Sequence, residues 1–384
     1  MTALPDGLDG WLRLSLTPGV GDVSARKLLS AFGLPEQIFT QSEAALRQVV
    51  GPAQIAALQA PPAGWLAQCE LTRAWLDGSA QRGVLTLADT AYPTLLLNMA
   101  DPPLVLYWQG DVSLLGHPHC LAVVGSRNPT PQGERTAHDM SSAMAAAGVC
   151  VVSGLALGVD GAAHTGALDG GGATIAVVGT GLDRVYPSRH LALAHRITQR
   201  GLLLSEFPLG TPPSQSNFPK RNRIIAGLAQ GTLVVEAALA SGSLITARLA
   251  VDMGREVFAI PGSIHSTQAK GCHALIRQGA KLVETAQDVL EDLQFVPPMV
   301  GAAAPEGLPG DVGLFSGEDV VEVVVAGAPG RLLDQMGHHP IGLDALQART
   351  GESAAHLQAW LMELELDGHV ARAPGGLFQR VVRA

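Results

Sequence analysis

Residues 121–127 read Leu-Ala-Val-Val-Gly-Ser-Arg, four apolar residues running into a small turn and then a cation. The texture recurs at VCVVS (149–153), TIAVVG (174–179), GLLLS (201–205), TLVVE (232–236), EVFAI (256–260) and KLVE (281–284), with helical stretches between. A strand that is apolar at every position must be covered on both faces, and helices between such strands make the sheet parallel. The expectation is an α/β chain with a doubly wound, parallel-sheet Rossmann-like core over 84–294. Ligands of such sheets sit at the carboxyl ends of the strands, where turns and helix N-termini offer free N–H groups.

The flanks have a different texture. Before the core, residues 1–83 read as helices: Leu12, Leu14 and Leu16 lead into Thr17-Pro18-Gly19-Val20-Gly21, and Val23, Ala25, Leu28, Leu29 and Phe32 follow at helical spacing until Gly33. Helix, GVG turn and helix make a helix-hairpin-helix pattern of the kind that can meet a DNA phosphate, although Asp22 beside the turn favours a plain packing module. The core region opens with a short, proline-marked connector over 84–118, in which Val105–Trp108 reads as a short strand. After the core, 295–330 is rich in Pro, Gly and Ala and reads as a flexible linker. Residues 331–384 give helices at 331–337, 343–350 and 354–366 and a hairpin turning at 374–376, a small winged-helix pattern.

Bulk properties narrow the function. The chain has 384 residues, enough for two or three domains, and a net charge of −9. That charge argues against a protein coated in nucleic acid, so a local basic cluster carries more weight here than on a basic chain. The four cysteines, Cys69, Cys120, Cys150 and Cys272, lie far apart with no CxxC spacing, which argues against a zinc ribbon or disulfide framework and favours free buried thiols in a reducing compartment. No basic-then-apolar leader and no apolar run of spanning length is present, so the expectation is a soluble, cytosolic chain with no membrane partner.

Three loops at strand ends stand out. The first holds Gly125, Ser126 and Arg127. The second is Ser153-Gly154-Leu155-Ala156-Leu157-Gly158-Val159-Asp160, continuing to His164. The third delivers Glu236 and then Ala240-Ser241-Gly242-Ser243. Neither GxGxxG after the first strand nor a P-loop is found, so no cofactor is expected, and the absence of a GxSxG elbow removes a hydrolase nucleophile. Asp160 and His164 lie four apart but lack a third metal ligand, which favours structural hydrogen bonds.

The most informative stretch is Ser216-Asn217-Phe218-Pro219-Lys220-Arg221-Asn222-Arg223. It sets three cations within four positions beside one of only eight phenylalanines, and no acid occurs between Phe207 and Val235. Cations that track a backbone, with an aromatic to stack a base, are what single-strand binding needs. Taken alone, the stretch reads equally well as a solvated helix start with Phe218 in the core. With Arg127 and Ser241–Ser243 converging on the same sheet edge, the binding reading prevails.

The motifs GSR (125–127), SGLALGVDGAAHTGAL (153–168), GTGLDRVYP (179–187), SEFPLGTPP (205–213), NFPKRNRIIAGL (217–228), VVEAALASGSLITA (234–247) and AIPGSIHSTQAKGCHALIRQGA (259–280) together resemble the DprA/Smf family, in the family's order. The resemblance implies a homodimer that binds and protects incoming single-stranded DNA in natural transformation and helps load the RecA recombinase. It implies DNA contacts at Ser126, Arg127, Phe218, Lys220, Arg221, Asn222 and Arg223, extending to Gly154, Ser241 and Gly242, and no catalytic residues. The competing class is a nucleotide-cleaving phosphoribohydrolase using an early Arg loop and Glu236. Against it, the PGGxGT loop of those enzymes is replaced by Ala229-Gln230-Gly231-Thr232. One departure concerns the winged helix: its candidate recognition helix, 353–366, has no Lys or Arg and carries Glu363 and Glu365, so a protein-contact role is expected instead of DNA reading.

Overall fold

Strand β3 (Cys120–Val124) is buried at every position, and its neighbours explain why. Ala122 and Val124 point into one apolar cluster with Ile224, Ile225, Ala247 and Ala250, whereas Leu121 and Val123 point into another with Ala137, Met140, Met144 and Ala163. In the computed structural model, which describes residues 4–295, 332–333, 335–336, 340–367, 369–373 and 376–380, this strand lies inside a nine-stranded sheet. The others are β1 (Arg82–Thr86), β2 (Val105–Gly110), β4 (Cys150–Ser153), β5 (Thr174–Val177), β6 (Leu202–Ser205), β7 (Gly231–Val234), β8 (Glu256–Ala259) and β9 (Lys281–Leu282). Their order is β1-β2-β6-β5-β4-β3-β7-β8-β9. The chain leaves β3 for β4, β5 and β6 on one side, then returns to place β7 against the other side of β3. That reversal is the switch point of a doubly wound sheet.

The sheet is not wholly parallel, as the strand reading expected. From β6 to β9 it is parallel, but β2 runs antiparallel to β6 and β1 antiparallel to β2. The β1 segment went unread because its burial alternates, and five residues of edge strand leave a weak signal. Helix ends follow local chemistry. Thr130 caps the helix Pro131–Ala146, its hydroxyl accepting from Gly133 N–H at 3.0 Å, and Gly33 (φ 84°) ends the second hairpin helix.

Two arginines fasten the flanking units to the core. Arg223, on the helix Asn217–Leu228, is 7% exposed and meets three carboxylates: Asp22 of the hairpin (2.9 Å), Asp101 of the connector (3.2 Å) and Glu206 after β6. Burial raises the Glu206 carboxyl to about 7 against the pull of Arg223, and Asp22 is raised for the same reason. In the C-terminal unit, helices Leu343–Thr350 and Ala354–Leu366 pack with a small sheet of β10 (Ile341–Gly342), β11 (Val370–Ala373) and β12 (Leu377–Arg380), in the order β10-β12-β11. Arg349 there is buried and donates to the carbonyls of Asp89 (3.1 Å), Thr90 (2.7 Å), Tyr92 (3.0 Å) and Gln335 (2.6 Å). Asp344 also pairs with Arg26 of the hairpin at 2.7 Å. The winged helix thus packs on the N-terminal side of the molecule. The linker expected at 295–330 lies outside the described residues except for Phe295, and the first helix expected at 331–337 is described only at Leu332, Leu333, Gln335 and Met336.

Two expectations follow from these docking points. Arg349→Ala leaves four carbonyls without this donor, and buried groups that lose a partner cost about 1–3 kcal/mol each before relaxation. Calorimetry should then show the C-terminal unit melting in its own, earlier transition; an unchanged thermogram contradicts the docking role. Between the ordinary glutamate pKa and about 7, the folded state holds a proton on Glu206 that the unfolded chain has released, so stability falls as pH rises through that window. Glu206→Gln should match the parent in urea melts at pH 5 and exceed it at pH 8 by on the order of 1–3 kcal/mol. Parallel pH profiles for the two proteins would contradict this.

Candidate nucleic-acid interface

The switch point opens into a crevice of about 560 Å³. Its walls come from the loop after β3 (Val124 to Asn128), the loop and helix start after β7 (Ala238 to Thr246), Ala156 and Asp160 after β4, and one face of the helix Asn217–Leu228. Gly125 is needed because any side chain there would strike Val159 and the Glu236 carbonyl. Ser126 shapes the turn: its hydroxyl accepts from Asn128 N–H at 3.1 Å, and its carbonyl from Val159 N–H at 3.1 Å. Arg127 is thereby left exposed at the mouth, its guanidinium carbon 5.1 Å from the Phe218 ring centroid. Across the crevice, the Ser241 hydroxyl lies 2.7 Å from that of Ser243, and Gly242 faces open space.

The basic run is not a loop of three free cations. It forms the first two turns of a helix, and helical spacing sends its members in different directions. Arg221 is 4% exposed; its Nη1 donates to the carbonyls of Gly154 and Val177, and Asp160 lies 3.9 Å away. Burial lowers its pKa to about 10, with Asp160 opposing. Gly154, expected to cradle a phosphate, instead lies buried beneath this guanidinium, which any side chain at 154 would overlap. Asn222 lines the crevice and accepts from Arg221 Nε at 3.1 Å. Lys220 is exposed and does not line the crevice; it lies close enough to Asp22 and Glu206 to favour their ionised forms. Arg223, expected as a DNA contact, is committed to its three carboxylates. Seven of the ten expected residues therefore line the crevice: Ser126, Arg127, Phe218, Arg221, Asn222, Ser241 and Gly242.

Sequence reading missed Tyr186, which is exposed beside Phe218, ring centroids 5.9 Å apart and planes 30° apart. It follows strand β5 by nine residues, inside the 179–187 motif, but is not singled out there as a contact residue. Asp160 and His164 serve structural bonds separately. Asp160 accepts from Ala156 N–H (3.3 Å), and His164 Nε2 accepts from Leu155 N–H (3.3 Å) while its Nδ1 meets the Thr174 hydroxyl at 2.7 Å. Burial, with His190 and Arg221 nearby, drops the His164 pKa to about 3, so the ring is neutral. No group of three His, Cys, Asp or Glu able to hold a metal occurs among the described residues. Glu236, the acid the phosphoribohydrolase reading requires, accepts from Thr130 N–H (2.9 Å) and the Thr130 hydroxyl (2.7 Å), at the start of the helix Pro131–Ala146 and away from the crevice lining. Among the described residues, no helix is long and apolar enough to cross a membrane.

Comparison with known proteins gives the same outline. Residues 83–294 match the family model described as DNA recombination-mediator protein A, and 324–376 match the DprA winged helix domain. Protein Smf of Escherichia coli (strain K12) is 44% identical over 294 residues, covering 76% of each chain. The X-ray structure of DNA processing protein A from Streptococcus pneumoniae superposes with a TM-score of 0.63 at 36% identity, covering 76% of this chain and 99% of that one. A structure of DNA processing protein A from Helicobacter pylori, described for its single-stranded DNA binding mode, gives a TM-score of 0.50 at 32% identity over 56% of this chain and 96% of that one. The chain belongs to the DprA/Smf family of DNA-processing proteins.

Proposed function

We propose that this protein binds single-stranded DNA without strict sequence choice in the crevice between β3 and β7, and hands it to the RecA recombinase during natural transformation. The observation that carries the reading is Arg127. It is exposed, forms no salt bridge among the described residues, and stands against a half-buried phenylalanine at the switch point of the sheet. A phosphate on Arg127 and a base on Phe218 need no groove-reading helix. The open space at Gly242 and the hydroxyls of Ser241 and Ser243 let the backbone approach the opposite wall. Family membership supports this reading, as does the binding mode described for the Helicobacter pylori protein. We further read the protein as a cytoplasmic homodimer that performs no catalysis, its Glu236 being held in a helix cap. The winged helix, with an acidic and cation-free recognition helix, serves protein contacts.

Affinity for an oligothymidine strand should exceed that for a duplex of equal length. Arg127→Ala should weaken single-strand binding and flatten the log affinity against log salt plot by about 0.7. Phe218→Ala should cost about 1–3 kcal/mol of binding with the slope unaltered. Lys220→Ala, away from the crevice, should have the smaller effect of the two cation changes. Equal or tighter duplex binding, or an Arg127 variant that binds like the parent at every salt concentration, overturns the reading. So does release of free base from AMP.

A further inference from the structure

The helix Asn217–Leu228 has two working faces. Phe218, Arg221, Asn222 and Ile225, spaced i, i+3, i+4 and i+7, line the crevice. Lys220, Arg223 and Gly227, spaced i, i+3 and i+7, turn to the other side. There Gly227 packs so closely on the side-chain ends of Met99 and Leu96 that a methyl group would displace them, and Arg223 takes Asp22, Asp101 and Glu206. Arg223 sits one residue from Asn222 and two from Arg221. Its Nη2 bridges Asp22, the first residue of the second hairpin helix, and Glu206, which follows β6. The guanidinium therefore ties together three parts of the chain distant in sequence, on the back of the helix whose front forms the crevice wall.

We propose that Asp22 and Arg223 form a positioning latch, through which the N-terminal helical unit sets the rotation and order of the first turns of this helix and so the geometry of the strand-binding face. The hairpin's turn, a motif that elsewhere could meet DNA itself, acts here through protein contact: its Asp22 is engaged with Arg223. A planar, forked guanidinium suits this task because it fixes direction as well as distance to its carboxylates, which an ammonium does not. The latch rests on the single-strand reading of the crevice for its consequence, but not for its mechanics.

The test uses the full-length protein and two readouts, amide hydrogen exchange of residues 218–222 and affinity for an oligothymidine strand as a function of salt. Asp22→Asn leaves Asp101 and Glu206 to hold Arg223, so the fold should survive. The latch predicts faster exchange over 218–222 and a loss of affinity of about 3- to 10-fold with an unchanged salt slope, since no phosphate contact is removed. Asp344→Asn, which cuts the exposed Arg26 pair on the same N-terminal unit, should move neither readout. If Asp22→Asn does not fold, Arg223→Lys keeps the charge without the fork and should show the same two changes. Parental exchange and affinity in the folded variant overturn the proposal, as does an affinity loss explained wholly by the fraction unfolded. If the parent itself does not bind the strand, the single-strand reading fails, and the exchange measurement alone decides the latch.

Discussion

Strand β3 is buried on both faces along its whole length, so no side chain of Cys120–Val124 is available to solvent. Whatever chemistry this strand supports must begin where the strand ends. The chain leaves β3 toward β4 and comes back to β7 on its other side, so the loops that follow these two neighbours diverge and leave a gap. The crevice is the geometric result of that reversal. The small residues Gly125, Ser126, Ser241 and Gly242 around it keep its walls close to the backbone.

Arg221 is the second constraint. A guanidinium buried to this degree loses hydration worth several kcal/mol, which stands only if its donors and charge are matched. Two carbonyls at the ends of β4 and β5 and the carboxylate of Asp160 supply the match. The arginine thereby joins the crevice helix to the sheet from beneath, and Gly154 is small because the guanidinium occupies its side-chain space. With Arg221 and Arg223 both used internally, the positive charge at the mouth of the crevice falls mainly to Arg127.

The core was legible because two-sided burial writes itself as uninterrupted apolar runs: β3 to β8 all lie within two residues of where the runs place them, and the winged-helix segments 343–350 and 354–366 coincide with helices. The crevice loops were legible for a related reason, since glycine and serine after an apolar strand mark a sharp turn. The basic run misled. Helical spacing turns Arg221 to one side and Lys220 with Arg223 to the other, and sequence proximity does not separate an exposed lysine from two buried arginines. The partners that absorb Arg223 could not be found locally: Asp22 lies 201 residues away along the chain, and Asp101 more than a hundred. Edge strand β1 leaves only a weak signal, and Tyr186, though inside the 179–187 motif, is brought beside Phe218 by tertiary packing.

The central claim, that the β3/β7 crevice holds single-stranded DNA, is tested most directly by mapping backbone protection on the full-length protein with and without a saturating oligothymidine strand. Hydrogen exchange should slow at 125–128, 218–222 and 241–246 together, with the winged-helix helix Ala354–Leu366 unchanged. Protection confined to 354–366, or to the hairpin at 17–24, would place the strand elsewhere and contradict the account.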